Sequence, residues 1–247
     1  MAQMNEKMLL SIAKNVGDDW KESAYYDEAE RCMNAQWRSL IWPIIKNCDF
    51  SCVVDLAAGH GRNTEKLRHL AKKVYVVDIN EENVEFLKRR FSAFDNIVCL
   101  QNDGISLKRI RSSEVTLVYS FDAMVHFDSD VVRAYLKEFQ RVLKPGGYGF
   151  CHYSNYTEKP TSNFRETTHW RNFMSRELFE HYAWKEGLLP IKSELQDWHG
   201  SGQSVDCATL FQKPFEPVNN HDHSENEDTS GLITILKSFW RLKKRPF

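Results

Sequence analysis

Apolar side chains recur every three and four residues near the start of the chain. Tyr25, Tyr26, Ala29, Met33, Trp37 and Ile41 fall on one helical face, and Pro43 bends or ends that segment. From Cys52 the texture changes to short apolar runs bounded by turn residues. Cys52-Val53-Val54 with Leu56, then 74–77, 97–100, 115–120 and 148–153, predict five buried strands. Helical spacing lies between them, over 64–72, over 81–91 behind Asp78 and Asn80, and over 130–143 with Lys144-Pro145-Gly146-Gly147 as its stop signal. Such alternation implies parallel crossover units in a sheet covered on both faces. Residues 154–175 are polar with aromatics and no period, which predicts an elaborated loop. Ser175 caps a helix running to about Glu186, closed by Gly187. Runs over 188–198 and 205–212, joined by Gly200-Ser201-Gly202, add a late antiparallel pair. The expected fold class is α/β: a doubly wound, seven-stranded, mostly parallel sheet with a late antiparallel hairpin and an N-terminal helical cap.

The same reading divides the chain into a cap (1–47), a core (48–213), an acidic flexible linker (214–230) and a basic amphipathic C-terminal helix (231–247). On that last helix Leu232, Ile233, Ile235, Leu236, Phe239, Trp240 and Leu242 occupy one half of the wheel. Lys237, Arg241, Lys244 and Arg245 occupy the other, with Lys243 as the exception. The arrangement suits peripheral contact with an anionic membrane surface, or docking on the chain's own domain or a partner.

Composition narrows the class further. Thirty-three Lys and Arg against 34 Asp and Glu leave a net charge of −1, so no global basic field exists for nucleic acid, and no nucleic-acid partner is expected. Six cysteines show no metal-type or redox-type pairing, which points to a reducing compartment without a disulfide framework. No apolar run is long enough to span a bilayer and the N-terminus lacks a signal-type pattern. A cytoplasmic location is expected, at the inner membrane surface if the tail binds lipid.

The most informative stretch is Asp55-Leu56-Ala57-Ala58-Gly59-His60-Gly61, where an acidic residue ends a strand and a small-residue turn leads into a helix. Asp78 ends the second strand, 23 residues after Asp55, where a carboxylate can accept ribose hydroxyls. Asn102-Asp103-Gly104 ends the third, where a carboxylate can meet an adenine amino group. Arg141 to Gly147 sits just before the fifth strand. In this order the features resemble the class I S-adenosylmethionine-dependent methyltransferases, a Rossmann-like fold, over about residues 50–213. The resemblance implies S-adenosyl-L-methionine as cofactor, with Asp55, Ala57, Gly59 and Gly61 around its methionine end. It also implies Asp78 and Ile79 at the ribose, Asp103 and Gly104 at the adenine, and Ser120, Phe121 and Asp122 beside the sulfonium. Ala57-Ala58 departs from the usual glycine and small residue, yet alanine still allows close backbone approach.

Methyl transfer from a sulfonium is a direct displacement that needs donor and acceptor held in line. A hydroxyl acceptor also needs a base. His126, just after the fourth strand, and His152, at the end of the fifth, both fall at the ligand edge of such a sheet and are the candidate catalytic residues. Either could instead pack as a core histidine. Arg165, His169, Trp170 and Arg171 could bind an anionic or sugar-like acceptor, or form a solvated loop. Tyr25, Tyr26 and Trp37 could lid the site or simply pack. No compact acidic cluster suggests a metal. The expected activity is methyl transfer to a small-molecule or glycan acceptor, preferentially a hydroxyl oxygen. The alternatives are N-methylation of a small amine or protein side chain, and a non-catalytic cofactor-binding partner subunit.

Overall fold

The computed structural model describes residues 6–21, 23–161, 164–167, 170–198, 200 and 202–215. The chain divides into two compact units, Met1–Phe215 and Glu216–Phe247. The second unit, which holds the predicted C-terminal helix and nearly all of the acidic linker, lies outside the described residues, as does His169.

Seven strands form one sheet: β1 (Cys52–Leu56), β2 (Lys73–Asp78), β3 (Ile97–Gln101), β4 (Val115–Met124), β5 (Leu143–Ser154), β6 (Leu189–Gln196) and β7 (Asp206–Gln212), in the order β3-β2-β1-β4-β5-β7-β6. The first five pair in parallel, and β7 pairs antiparallel with both β5 and β6. β6 therefore runs in the same direction as β5, and the C-terminal ends of β1 to β6 share one edge of the sheet. Alternation along the strands feeds two cores. Val54, Leu56, Val118, Cys151 and Tyr153 pack on one face; Val53, Val74, Val76, Tyr119, Phe121 and Phe150 pack on the other. The strand order reverses between β1 and β4, the switch point where open α/β sheets bind ligands.

The helices are α1 (Glu6–Asp19), α2 (Tyr25–Gln36), α3 (Trp42–Ile45), α4 (Arg62–Leu67), α5 (Glu81–Arg90), α6 (Ser129–Val142) and α7 (Arg176–Lys185), with a π turn, Trp37–Ile41, between α2 and α3. Ser175 caps α7 by accepting from the Leu178 N–H at 3.1 Å. On α6, Val131, Val132, Tyr135, Leu136, Phe139 and Val142 are buried at helical spacing, and the Asp128 side chain accepts from the Asp130 N–H.

The structure departs from the periodicity at four places. The helix expected over 64–72 starts at Arg62 and ends at Leu67, because the Asn96 amide takes the Arg68 and Ala71 carbonyls. Pro43 opens α3 rather than breaking a helix, since its missing N–H costs nothing in a first turn. The Lys144–Gly147 stop signal is absorbed into β5, where Gly146 and Gly147 exchange backbone bonds with Lys213. β4 continues past Ser120 to Met124 with an irregular register that re-aims Phe121 and Asp122.

Candidate active site

A cleft of about 960 Å³ opens at the C-terminal ends of β1, β2 and β4 and is roofed by α1 and α2. Of the residues expected to meet cofactor, Ala57, Gly59, Asp78, Ile79, Gly104, Phe121 and Asp122 line it; so do His126, Tyr25 and Tyr26.

Local backbone explains the turn after β1. Ala57 has φ +55, so it adopts the left-handed conformation that favours glycine, a strain on the order of 1–2 kcal/mol. Gly59 also has positive φ, and a Cβ there would come within 2.4 Å of the Tyr26 ring. Tyr26 thus lies directly on the turn, and it stacks on His60 with ring centroids 4.2 Å apart. Asp78 holds the turn from the other side: its Oδ2 accepts from the Gly59 N–H at 2.8 Å, and its Oδ1 accepts from the Asn80 N–H and the Asn83 amide. Burial pushes the Asp78 carboxyl up from the usual carboxylate range against the pull of those donors.

A second cluster sits beyond β4. Asp122, at φ +61, accepts from the Tyr25 hydroxyl and from Arg62 Nη2, both at 2.5 Å on Oδ2. Its backbone N–H donates to His152 Nδ1 at 3.2 Å. Tyr25 belongs to α2, so this carboxylate ties the helical roof to the sheet. The Tyr25 phenol is pushed up, by burial first and by the Asp122 charge second, and stays protonated.

His126 Nδ1 lies 2.6 Å from the Trp170 carbonyl oxygen, so Nδ1 carries the proton and Nε2 keeps its lone pair. Its ring packs at a tilt against Trp20, with centroids 4.6 Å apart. Burial pushes the imidazole down to about 4, although the Trp170 carbonyl favours the charged form. Trp170 itself has φ +58 and touches Trp20 and Phe164. Three of the four described non-glycine residues with positive φ therefore sit around this site.

The remaining expected residues do not line the cleft. Asp55 lies beneath the turn, where Thr64 Oγ1 donates to it at 2.6 Å and burial pushes its carboxyl up to about 7. Ser120 is fully buried and donates to the Leu56 carbonyl. Gly61 packs against Leu87 and Phe91. Asp103 turns into its own loop and accepts from the Ile105 and Ser106 N–H groups, the Ser106 hydroxyl and Lys108. Arg165 pairs with Asp19 at 2.7 Å. Arg171 points inward and grips Asp206 with two bonds, Nε to Oδ1 at 2.6 Å and Nη2 to Oδ2 at 2.7 Å. His152 is sandwiched between Phe121 and Trp198, with no exposure, and its Nε2 lies 3.4 Å from Asp206 outside hydrogen-bond geometry. Trp37 packs on Trp42 and Tyr119 instead of on the cleft. Trp20 lines the cleft although no periodic signal marks it; the Gly17-Asp18-Asp19-Trp20 break at the end of α1 was its only trace.

A family model described as a methyltransferase domain matches residues 53–147. No curated protein matches the sequence significantly. Among solved structures, geranyl diphosphate C-methyltransferase from Streptomyces coelicolor A3(2), in complex with Mg2+, geranyl diphosphate and S-adenosyl-L-homocysteine, is 12% identical with a TM-score of 0.63, over 82% of this chain and 97% of that one. Phosphoethanolamine N-methyltransferase 1 of Haemonchus contortus, in complex with phosphoethanolamine and S-adenosylhomocysteine, is 17% identical with a TM-score of 0.64, over 97% of this chain and 55% of that one. The [4+2]-cyclase SpnF is 13% identical with a TM-score of 0.60, over 79% of this chain and 85% of that one. These likenesses show the fold; the sequence match carries the class. Residues 53–147 are a methyltransferase domain, on the fold of the class I S-adenosylmethionine-dependent methyltransferases, and S-adenosyl-L-methionine is its cofactor.

The cleft fits that molecule. A left-handed turn of small residues offers backbone close by, and a carboxylate at the end of β2 faces the same space. Among the described residues no helix is long and apolar enough to cross a membrane, and no cluster of three or more His, Cys, Asp or Glu could hold a metal ion.

Proposed function

We propose that the chain methylates a hydroxyl oxygen of a small-molecule or glycan acceptor, with His126 Nε2 accepting the hydroxyl proton. The cofactor, when bound, supplies an electrophilic methyl group on a sulfonium. The observation that carries the reading is the His126 ring: its Nδ1–H is committed to the Trp170 carbonyl, and its remaining lone pair belongs to a neutral imidazole lining the cleft. Trp20 and Tyr25 give the acceptor aromatic surface and exclude water around it, and Trp170 packs edge-on against Trp20. Asp122 holds the roof closed through Tyr25. The solved structures that resemble this chain include complexes with small molecules, which supports an acceptor of that size. The full chain is to be incubated with methyl-labelled cofactor and hydroxyl- and amine-bearing acceptors, free and lipid-linked, and the product bond read by NMR. Label found only on nitrogen would remove the oxygen reading. Cofactor binding with no transfer to any acceptor would favour the non-catalytic one.

Asp78 is assigned to the cofactor's ribose. Asp78→Ala is expected to weaken S-adenosylmethionine binding by about 1.5–3 kcal/mol, the loss of charge-assisted hydrogen bonds plus the donors left unsatisfied. Titration calorimetry would read this as a roughly 10- to 150-fold rise in Kd. Unchanged affinity would take Asp78 away from the ribose.

Residues 231–247 are assigned to peripheral contact with an anionic membrane surface, at about 1 kcal/mol per Lys or Arg near the lipid. The full chain should co-sediment with anionic liposomes less strongly as salt rises, and a chain ending at residue 230 should not. Equal partitioning of the two would make the segment a docking element.

A further inference from the structure

A second groove, of about 1,230 Å³, runs between α2 and the end of β6, and Tyr25 lines both it and the cofactor cleft. At the groove Gln196 is only 8% exposed, and neither its amide oxygen nor its amide nitrogen has a hydrogen-bond partner. Burying an unsatisfied amide is costly, so a native chain that keeps one has a use for it. Trp198, beside Gln196, adds an aromatic ring to the wall.

The charges select the ligand. Glu28, Glu194 and Asp197 line the groove, and among the described residues no Lys or Arg does. An anion would meet carboxylates and find no cation. An ammonium only donates, and would leave the Gln196 N–H groups unpaired. Glu194 is already paired with Lys192 at 2.5 Å, and Asp197 Oδ2 accepts from the Gly202 N–H at 2.7 Å, so the negative field is partly spent. A hydroxyl both donates and accepts, and adjacent hydroxyls match both ends of a primary amide. We infer that this groove is an acceptor subsite for a neutral, hydroxyl-rich ring of the sugar type, seated on Trp198 and read by the Gln196 amide. The inference rests on the oxygen-acceptor reading above and names the class of acceptor.

Binding without turnover tests it. The full chain, loaded with S-adenosylhomocysteine, is to be titrated with neutral methyl glycosides by NMR, following Trp198 indole signals. Choline serves as the cationic control and a sugar phosphate as the anionic one. Glycosides should bind and shift Trp198, and both controls should fail. Gln196→Leu should weaken glycoside binding about tenfold, the loss of one amide's hydrogen bonding. It should also raise the Tm, because it removes an unsatisfied amide, and leave cofactor affinity unchanged. Hexyl glycosides binding more tightly than methyl glycosides would point to a lipid-borne sugar, and equal binding to a free one. The subsite is overturned if glycosides do not bind, if choline or the sugar phosphate binds preferentially, or if Gln196→Leu lowers the Tm and leaves glycoside affinity intact. Methyl transfer to another hydroxyl compound would then still stand, since binding here is read without chemistry.

Discussion

Replacing His126 with alanine should lower turnover by about 10²–10⁴ while cofactor affinity stays nearly intact, the scale of losing a positioned general base. The argument rests on geometry first. The Trp170 carbonyl fixes the tautomer, and the ring is clamped against Trp20, so one lone pair is presented in a set direction. The pH profile adds an independent check. Burial holds this imidazole at about 4, whereas an exposed histidine titrates near 6.5. Activity that needs the neutral ring should persist down to about pH 5 and fail only below it. An acid limb near 6.5 would mean that a different group titrates. Stability carries the same signature. Between pH 6.5 and 4 the unfolded chain takes up a proton that the folded ring refuses, so His126 destabilises the fold as pH falls through that window, by up to about 3 kcal/mol. Denaturant unfolding of the wild type and His126→Ala at pH 7 and 4.5 should therefore converge at the acid end. A constant difference between them would show that the buried ring is not neutral. Full turnover in His126→Ala would end its assignment as base.

The second large effect is expected at Asp206. Its carboxylate is fully buried and takes two bonds from Arg171, whose side chain is itself only 4% exposed. Asp206→Ala leaves that guanidinium buried without its partner, a loss on the order of 3–5 kcal/mol in urea unfolding. Activity should fall as well, because Arg171 follows Trp170 in the chain and its anchoring fixes the carbonyl that orients His126. Burial alone would push the Asp206 carboxyl up, yet the neighbouring His152 and Arg171 outweigh it and hold it at about 2. The stability this adds is present above the unfolded value of 3.8 and is lost as pH falls from there through 2. Asp206→Ala with wild-type stability would mean that Arg171 finds another partner and that the network is not what holds the loop.

How much of this was legible in the chain depends on the distance over which each feature is decided. The sheet was legible because strands covered on both faces must be apolar over their length, and the runs at Val53, Val74 and Val115 meet that need locally. The carboxylates at the ends of β1 and β2 were legible for a similar reason: each lies in the last two residues of its own strand. So was the Ser175 cap, which acts on an N–H three residues away. The side chains that compose the site were decided elsewhere. His126 and His152 look alike in the sequence, but His152 shares its strand face with Phe150, so alternation sends it into the core, while the irregular end of β4 lets His126 reach the cleft. Arg171 reads as a loop cation until Asp206, 35 residues away, draws it inward. Asp122 acquires Tyr25 from 97 residues off, and only that contact turns an amphipathic helix into a roof. Local periodicity fixes where an element forms and which face it buries; which charges meet depends on packing between elements far apart in the sequence.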